Sequence, residues 1–179
     1  MKRIRVMKWI IVLALSAVTV VAIAAYWLSF PSDKSLRARF LAHRADFEKL
    51  VIMANEDSRL TRIAPDFTWL DDSVAWPRKD IGITEERWNV YRQLFDTTGT
   101  SEGIDKGINP SRIFFPIVSR GLVPTGATKG FVYSQVPLSP VLKSLDKAPP
   151  DKLYEGPDHN HVLVYKLIED HWYLYYEEW

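Results

Sequence analysis

Residues 162–179, VLVYKLIEDHWYLYYEEW, carry the pattern that decides the fold. Val162 to Ile168 and Trp172 to Tyr176 are rich in β-branched and aromatic residues and flank Glu169-Asp170, so the stretch reads as a β-hairpin. The turn is chemically weak, because neither Glu169 nor Asp170 is Gly or Asn. A two-residue loop sets Ile168 opposite His171. One face then shows Leu163, Tyr165, Leu167, Trp172, Leu174 and Tyr176. It is continuously apolar and is expected to face the core. The other face shows Val162, Val164, Lys166, His171, Tyr173, Tyr175 and Glu177. A three-residue loop would mix the faces and put Lys166 beside Trp172.

Upstream, Gly130 to Val136 (GFVYSQV) reads as a strand. Arg112 to Val118 (RIFFPIV) reads as another, bulged or at an edge because of Pro116. Gly121, Pro124 and Gly126 suggest turns between the two. Pro137 to Pro157 reads as a proline-punctuated crossing with one short helical turn at Val141 to Leu145. Residues 97–110 (TTGTSEGIDKGINP) hold three glycines and little bulk, and read as a mobile loop. Gly99, Gly103 and Gly107 lack the spacing of a nucleotide-binding loop, and no apolar strand leads into them.

Helical patterns come earlier. Thr84 is a good N-cap, with Glu85 and Glu86 in the first turn, and Trp88, Tyr91 and Phe95 share one side of a helix over about 85–97 that ends near Gly99. Leu60 to Ile63 and Phe67 to Leu70 read as short strands, and Trp76-Pro77 as extended chain. Pro31 and the N-cap Ser32 open a helix on which Leu36, Phe40, His43, Phe47, Leu50 and Ala54 recur every three or four residues. That face can pack on its own domain, or form a short coiled-coil seam in a dimer. His43 reads as a packed or half-buried residue on it, not as a ligand.

Trp9 to Phe30 is a run of 22 uncharged positions. As a helix it spans about 33 Å, enough for a hydrocarbon core of about 30 Å. Lys2, Arg3, Arg5 and Lys8 precede it, which predicts that this end stays in the cytoplasm. Trp9 at one edge and Tyr26, Trp27 and Phe30 at the other fit interfacial anchors. The alternative is a signal peptide cleaved near Ala24, where Ala22-Ile23-Ala24 fits the small-x-small rule. Both readings send residues 31–179 across the membrane.

The expected architecture is α+β. A transmembrane signal-anchor helix is followed by a small, mostly antiparallel sheet, one or two packed helices and the C-terminal hairpin. The chain divides into a basic tail (1–8), the anchor (9–30), a juxtamembrane amphipathic helix (31–55) and an extracytoplasmic domain (56–179).

The chain has 179 residues, 23 Lys plus Arg, 22 Asp plus Glu and no cysteine. Its balanced charge argues against nucleic acid as a partner. Without Cys there are no disulfides, thiolate metal sites or cysteine nucleophiles. Setting aside the four basic residues before the anchor, 19 basic face 22 acidic residues, so the body of the chain is mildly acidic.

Few residues suggest chemistry. His159 and His161 point the same way on a strand and could hold one metal ion, with Asp158 beside them and Glu178 opposite His161 in the two-residue-loop register. Asp71-Asp72 and Glu85-Glu86 are adjacent pairs and read as turn and helix-dipole chemistry, not as converging catalytic acids. No serine lies in a nucleophile motif, and no catalytic residue or cofactor is nominated. Tyr173 and Tyr175 are the candidates for an exposed aromatic binding patch. The sequence thus predicts a single-pass protein of a bacterial cytoplasmic membrane, anchored in the bilayer through residues 9–30. Its domain outside the cytosol would be a non-catalytic interaction module for an envelope protein. The alternative is an envelope hydrolase or metal-dependent enzyme using the His159/His161 pair.

Overall fold

The computed structural model describes residues 30–71, 73–75, 81–106, 111–122, 125–150, 153 and 161–179. The anchor segment, Trp76-Pro77, Asp158 and His159 lie outside them. Among the described residues no helix is long and apolar enough to cross a membrane. Three helices, α1 (Asp33–Ala42), α2 (Arg44–Glu56) and α3 (Glu85–Thr98), accompany one antiparallel sheet, so the fold is α+β. Its strands are β1 (Leu60–Ile63), β2 (Thr68–Leu70), β3 (Ser73–Ala75), β4 (Ile104–Asp105), β5 (Arg112–Leu122), β6 (Thr125–Ser134), β7 (Val162–Glu169) and β8 (Trp172–Glu178). They lie in the order β3-β2-β1-β4-β5-β6-β8-β7.

The local signals explain α3 well. The Thr84 hydroxyl accepts from the Arg87 N–H at 3.2 Å, and Gly99 closes the helix in the left-handed region at φ 74°. The expected single helix over 33–54 is instead two. His43, at φ −122° and ψ 24°, leaves the helical region, and its N–H is shared between the Arg39 and Phe40 carbonyls. The apolar face survives this break. Leu36, Phe40, Phe47, Leu50 and Ala54 are all buried, and residues 31–56 belong to the same compact unit, Pro31–Trp179, as the sheet. Phe47 sits at the centre, its ring 4.9 Å from Phe131, 5.6 Å from Phe115 and 5.8 Å from Trp172. Such aromatic groups combine large buried area with favourable edge-to-face geometry. The face offered as a coiled-coil seam is therefore packed within this unit.

Helix α2 has no basic residue in its last turn. Two cations from elsewhere supply that charge. Lys106 Nζ donates to the Ala54 and Asp57 carbonyls at 2.9 and 3.0 Å, and Arg87 bonds Asp57, Glu56 and the Met53 carbonyl. Both satisfy groups that the helix end leaves unpaired and complement its dipole.

Several expectations are corrected. Residues 104–105, read as loop, pair with β1 and β5. Gly121 and Gly126, read as turn residues, face each other inside the β5–β6 ladder. Strand β5 is internal, not an edge, although β4 covers it only at Phe114; the bulge expected at Pro116 is present, between Pro116 and Val118. No helical turn forms at 141–145. Residues 140–142 instead run beside β7, with Leu142 N–H on the Tyr165 carbonyl and Tyr165 N–H on the Pro140 carbonyl.

The C-terminal hairpin forms, but in the other register. Lys166 faces Leu174 and Val162 faces Glu178, with a bulge between Leu167 and Glu169. A one-residue shift moves every side chain of β7 to the opposite face. Val162 and Val164 join the helix-covered core, while Leu163 and Tyr165 pack on the second face of the sheet. Lys166 therefore shares its face with Trp172 and Leu174.

That placement completes a buried ion cluster. The Asp33 side chain is 4% exposed and that of Lys129, on β6, is 1% exposed; they meet at 2.8 Å. Asp33 Oδ2 also accepts from Lys166 Nζ and the Leu145 N–H, both at 2.9 Å. Lys129 reaches Asp146 Oδ1 at 2.9 Å, and the Asp33 N–H donates to the same oxygen at 2.8 Å. Burial alone would raise the Asp33 pKa. Lys129, the Leu145 N–H and Lys166 outweigh it and bring the value down to about 2.

Two outcomes follow. Asp33→Asn strands Lys129 without its closest anion and should cost about 3 kcal/mol or more in denaturant unfolding of the full chain, whereas adding Lys129→Met should restore part of the loss. Because the folded Asp33 pKa lies below the unfolded value of about 3.9, its stabilisation, on the order of 2 kcal/mol, is complete above pH 5. It should disappear as the pH falls towards 2, and this acid loss should be absent in Asp33→Asn.

Candidate functional site

The second face of the sheet is where side chains converge without a helix over them. The observed registers set three rows across it. One runs Arg62, Asp105, Phe114, Val132 and Tyr173; the next Pro116, Gly130, Tyr175 and Tyr165; the third Ser119, Thr128, Glu177 and Leu163. The bulge makes the last two rows possible. Pro116 pairs with Gly130 and Val118 with Lys129, so Ile117 is an extra residue and Ser119 returns to the same face as Pro116.

Gly130 is required for close approach. A Cβ there would lie 2.2 Å from the Phe115 carbonyl oxygen and 3.0 Å from the Tyr175 ring. The bare backbone lets the Tyr175 ring lie over it, with Phe114 meeting that ring edge-on at 5.0 Å. Tyr175 is 2% exposed. Burial pushes its pKa well above the usual phenol value; Glu177, Glu102 and Asp105 push the same way, and Arg62 opposes them.

Around this floor lies a recess of about 720 Å³. Its rim carries Arg62, Glu102, Asp105, Arg112, Glu177 and Trp179. The Ser119 hydroxyl donates to Glu102 Oε2 at 3.0 Å and lies 2.8 Å from the Thr128 hydroxyl. Glu177 Oε1 lies 3.2 Å from His161 Nε2. Arg62 Nη1 faces Asp105 Oδ2 at 3.6 Å. The buried Nε atoms of Arg62 and Arg112 have no acceptor. A second recess of about 460 Å³, lined also by His161, shares Arg112 and Leu163 with the first. Volumes of this order match those of small-molecule sites.

No protein family, curated protein or solved structure matches the chain. The chemistry of the recess therefore has to be read from its own side chains.

The residues singled out from sequence fare differently. Tyr173 and Tyr175 are not an exposed patch: both are buried, packed with Val132, Leu138 and Tyr165. The helices pack on the other face of the sheet, and on this one Val132, Leu138, Tyr165 and Phe114 pack with the two tyrosines. His161 lines the second recess and pairs with Glu177. Glu178 lies on the opposite face of the sheet, where the Tyr176 hydroxyl donates to it at 2.8 Å, so the register separates Glu178 from His161. Among the described residues no three His, Asp or Glu side chains are grouped to hold a metal ion. Phe114, Arg62, Arg112, Ser119 and Thr128 were not anticipated as site residues. The one available signal was Phe114-Phe115, two adjacent aromatic residues on a strand, which implies that both faces are occupied.

Tyr175 and Tyr165 both carry raised phenol pKa values from burial, as does Tyr91, which also donates to Asp57. An ultraviolet titration should therefore show fewer than 8 phenolates in the folded chain at pH 11. Above about pH 10 the unfolded chain sheds protons that the folded one keeps, so stability should fall as the pH rises. Tyr175→Phe should lessen that fall.

Proposed function

We propose that this chain is a membrane-anchored binding module, held by residues 9–30 in a bacterial cytoplasmic membrane, with Pro31–Trp179 on the outer side. The observation that carries the reading is an open recess of about 720 Å³, floored by the rings of Tyr175 and Phe114 and bordered by Arg62, Glu102, Asp105, Arg112 and Glu177. The rim supports binding over turnover. Its carboxylates are paired with Ser119, Arg62 and His161, and among the described residues the Ser119 hydroxyl bonds Glu102 and Thr128 and no histidine that would activate it as a nucleophile. The uncharged run after four basic residues supports the topology. Anchoring keeps the recess near the membrane surface and raises its effective concentration for molecules held there.

Two measurements in intact cells test this. Protease added outside the cytoplasmic membrane should digest residues 31–179, and digestion from the cytosolic side alone would overturn the topology. A photo-crosslinking benzoyl-phenylalanine at Leu163, on the recess, should yield an adduct that the same group at Leu41, exposed on α1, does not. Equal labelling at both positions, or none at Leu163, would overturn the binding role.

A further inference from the structure

The charge of the chain is not evenly spread. Residues 31–179 hold 19 basic and 22 acidic residues, yet the start of α1 and the side chains around it reverse that balance. Lys34 and Arg37 on α1 and Lys166 on β7 line a recess of about 300 Å³, and the acids that line it with them are Asp33 and Asp146. Both acids are spent in the ion cluster: Lys129 meets Asp33 and Asp146, and Lys166 meets Asp33. Lys143 and Lys147 flank the segment from Ser144 to Asp146 that bonds Asp33. Six cations thus stand around two anions. The next acid along β7, Glu169, is paired with Arg44 at 3.0 Å. Lys34, Arg37, Lys143 and Lys147 are exposed, and none of the four forms an ion pair among the described residues.

Apolar side chains lie beside these charges. Strand β7 is the edge of the sheet, and residues 140–142 run beside it at Tyr165. Leu167 on β7 and Val141 next to it are 52% and 49% exposed. A single exposed apolar residue needs no explanation. Two of them on a lysine-bordered edge make the mixed surface that the interfacial zone of a bilayer accepts, with apolar groups dipping below the headgroups and cations level with them.

The chain brings this surface to lipid. On the reading that residues 9–30 span the membrane, Pro31 and Ser32 alone separate the end of the spanning run from Asp33. Three residue steps reach at most about 11 Å. Attraction between exposed charges extends about one Debye length, about 8 Å at physiological salt, so cations grouped at the start of α1 come within range of headgroup phosphates. An acidic protein would match the charge equally well, but nothing holds one at this distance, whereas the anchor holds the lipid there.

We propose that the start of α1, residues 143–147 and the Lys166–Leu167 edge of β7 form a docking surface for the anionic phospholipid headgroups of the bilayer. Lys34, Arg37, Lys143 and Lys147 address the phosphates, and Leu167 and Val141 enter the headgroup layer. This placement rests on residues 9–30 spanning the bilayer.

The chain has no cysteine, so one introduced thiol carries a fluorophore at a known place. The full chain, labelled at Leu167→Cys or at Val141→Cys, is reconstituted into phosphatidylcholine vesicles with or without about 30% phosphatidylglycerol, both containing a lipid with a nitroxide on its headgroup. Trp69→Cys is the control: Trp69 is exposed on β2, six strands from β7 in the sheet order, or roughly 29 Å across the sheet. Quenching at Leu167 and Val141 should be about twofold stronger with phosphatidylglycerol than without, and should fall to the phosphatidylcholine level in about 1 M salt. The combined variant Lys34→Gln, Arg37→Gln, Lys143→Gln should lose the difference between the lipids, and the Trp69 label should be quenched in neither. Equal quenching in the two lipids, quenching at Trp69 as strong as at Leu167, or a difference that the combined variant keeps would overturn the proposal. Alkaline carbonate extraction of the same vesicles separates these failures from failure of the anchor. A chain that stays with the lipid while its Leu167 and Val141 labels are not quenched keeps the anchor and loses the docking surface; a chain released by carbonate loses both.

Discussion

The carboxylate of Asp33 sets a condition that the rest of the chain has to meet. Lys129 points from β6 into the helix-covered side of the sheet and is almost wholly withdrawn from water. A charge in that position is tolerable only if an anion and further hydrogen-bond partners come to it. Asp33 does so from the first turn of α1, Asp146 and the Leu145 carbonyl do so from the crossing between β6 and β7, and Lys166 reaches the second oxygen of the Asp33 carboxylate from β7. One cluster thus fixes where α1 begins, how the crossing lies and which face of β7 turns inward.

The same cluster bears on the register of the C-terminal hairpin. Both faces of β7 are apolar, with Val162 and Val164 on one side and Leu163 and Tyr165 on the other. Hydrophobic burial discriminates weakly between two registers when both faces are covered. Lys166 is the asymmetric residue. In the observed register its ammonium meets Asp33, and in the alternative it would leave that carboxylate with one cation fewer. The bulge at Ile168 accommodates the shift.

On the opposite face the recess results from the irregularities of β5 and β6. The extra residue at Ile117 bends β5 and returns Ser119 to the concave side, while Gly130 opens the space that the Tyr175 ring fills. Strand β4 is two residues long, so β5 has a strand partner on that side only at Phe114. A floor of aromatic rings, bordered by charges from β1, β4, β5 and β8 and by Glu102, is the consequence. The site is a property of the sheet face as a whole and of no single motif.

What the sequence determined by itself is local. The Thr84 cap, the apolar stripe of α3 and Gly99 mark a helix whose ends match the structure, because a cap and a terminating glycine act within one turn. The stripe from Leu36 to Ala54 identifies a buried face for the same reason, and the hairpin at 162–178 follows from its composition. The tertiary structure decided the rest. It chose the hairpin register through Asp33, a residue 133 positions from Lys166. It buried Tyr173 and Tyr175, which alternation alone had placed outside, by packing Leu138, Val132, Tyr165 and Phe114 with them on a face expected to be open. It also gathered Arg62, Phe114, Ser119 and Tyr175 from separate strands into one recess. These outcomes depend on cross-strand pairing between distant segments, and the energy that selects a pairing comes from groups the local sequence does not contain.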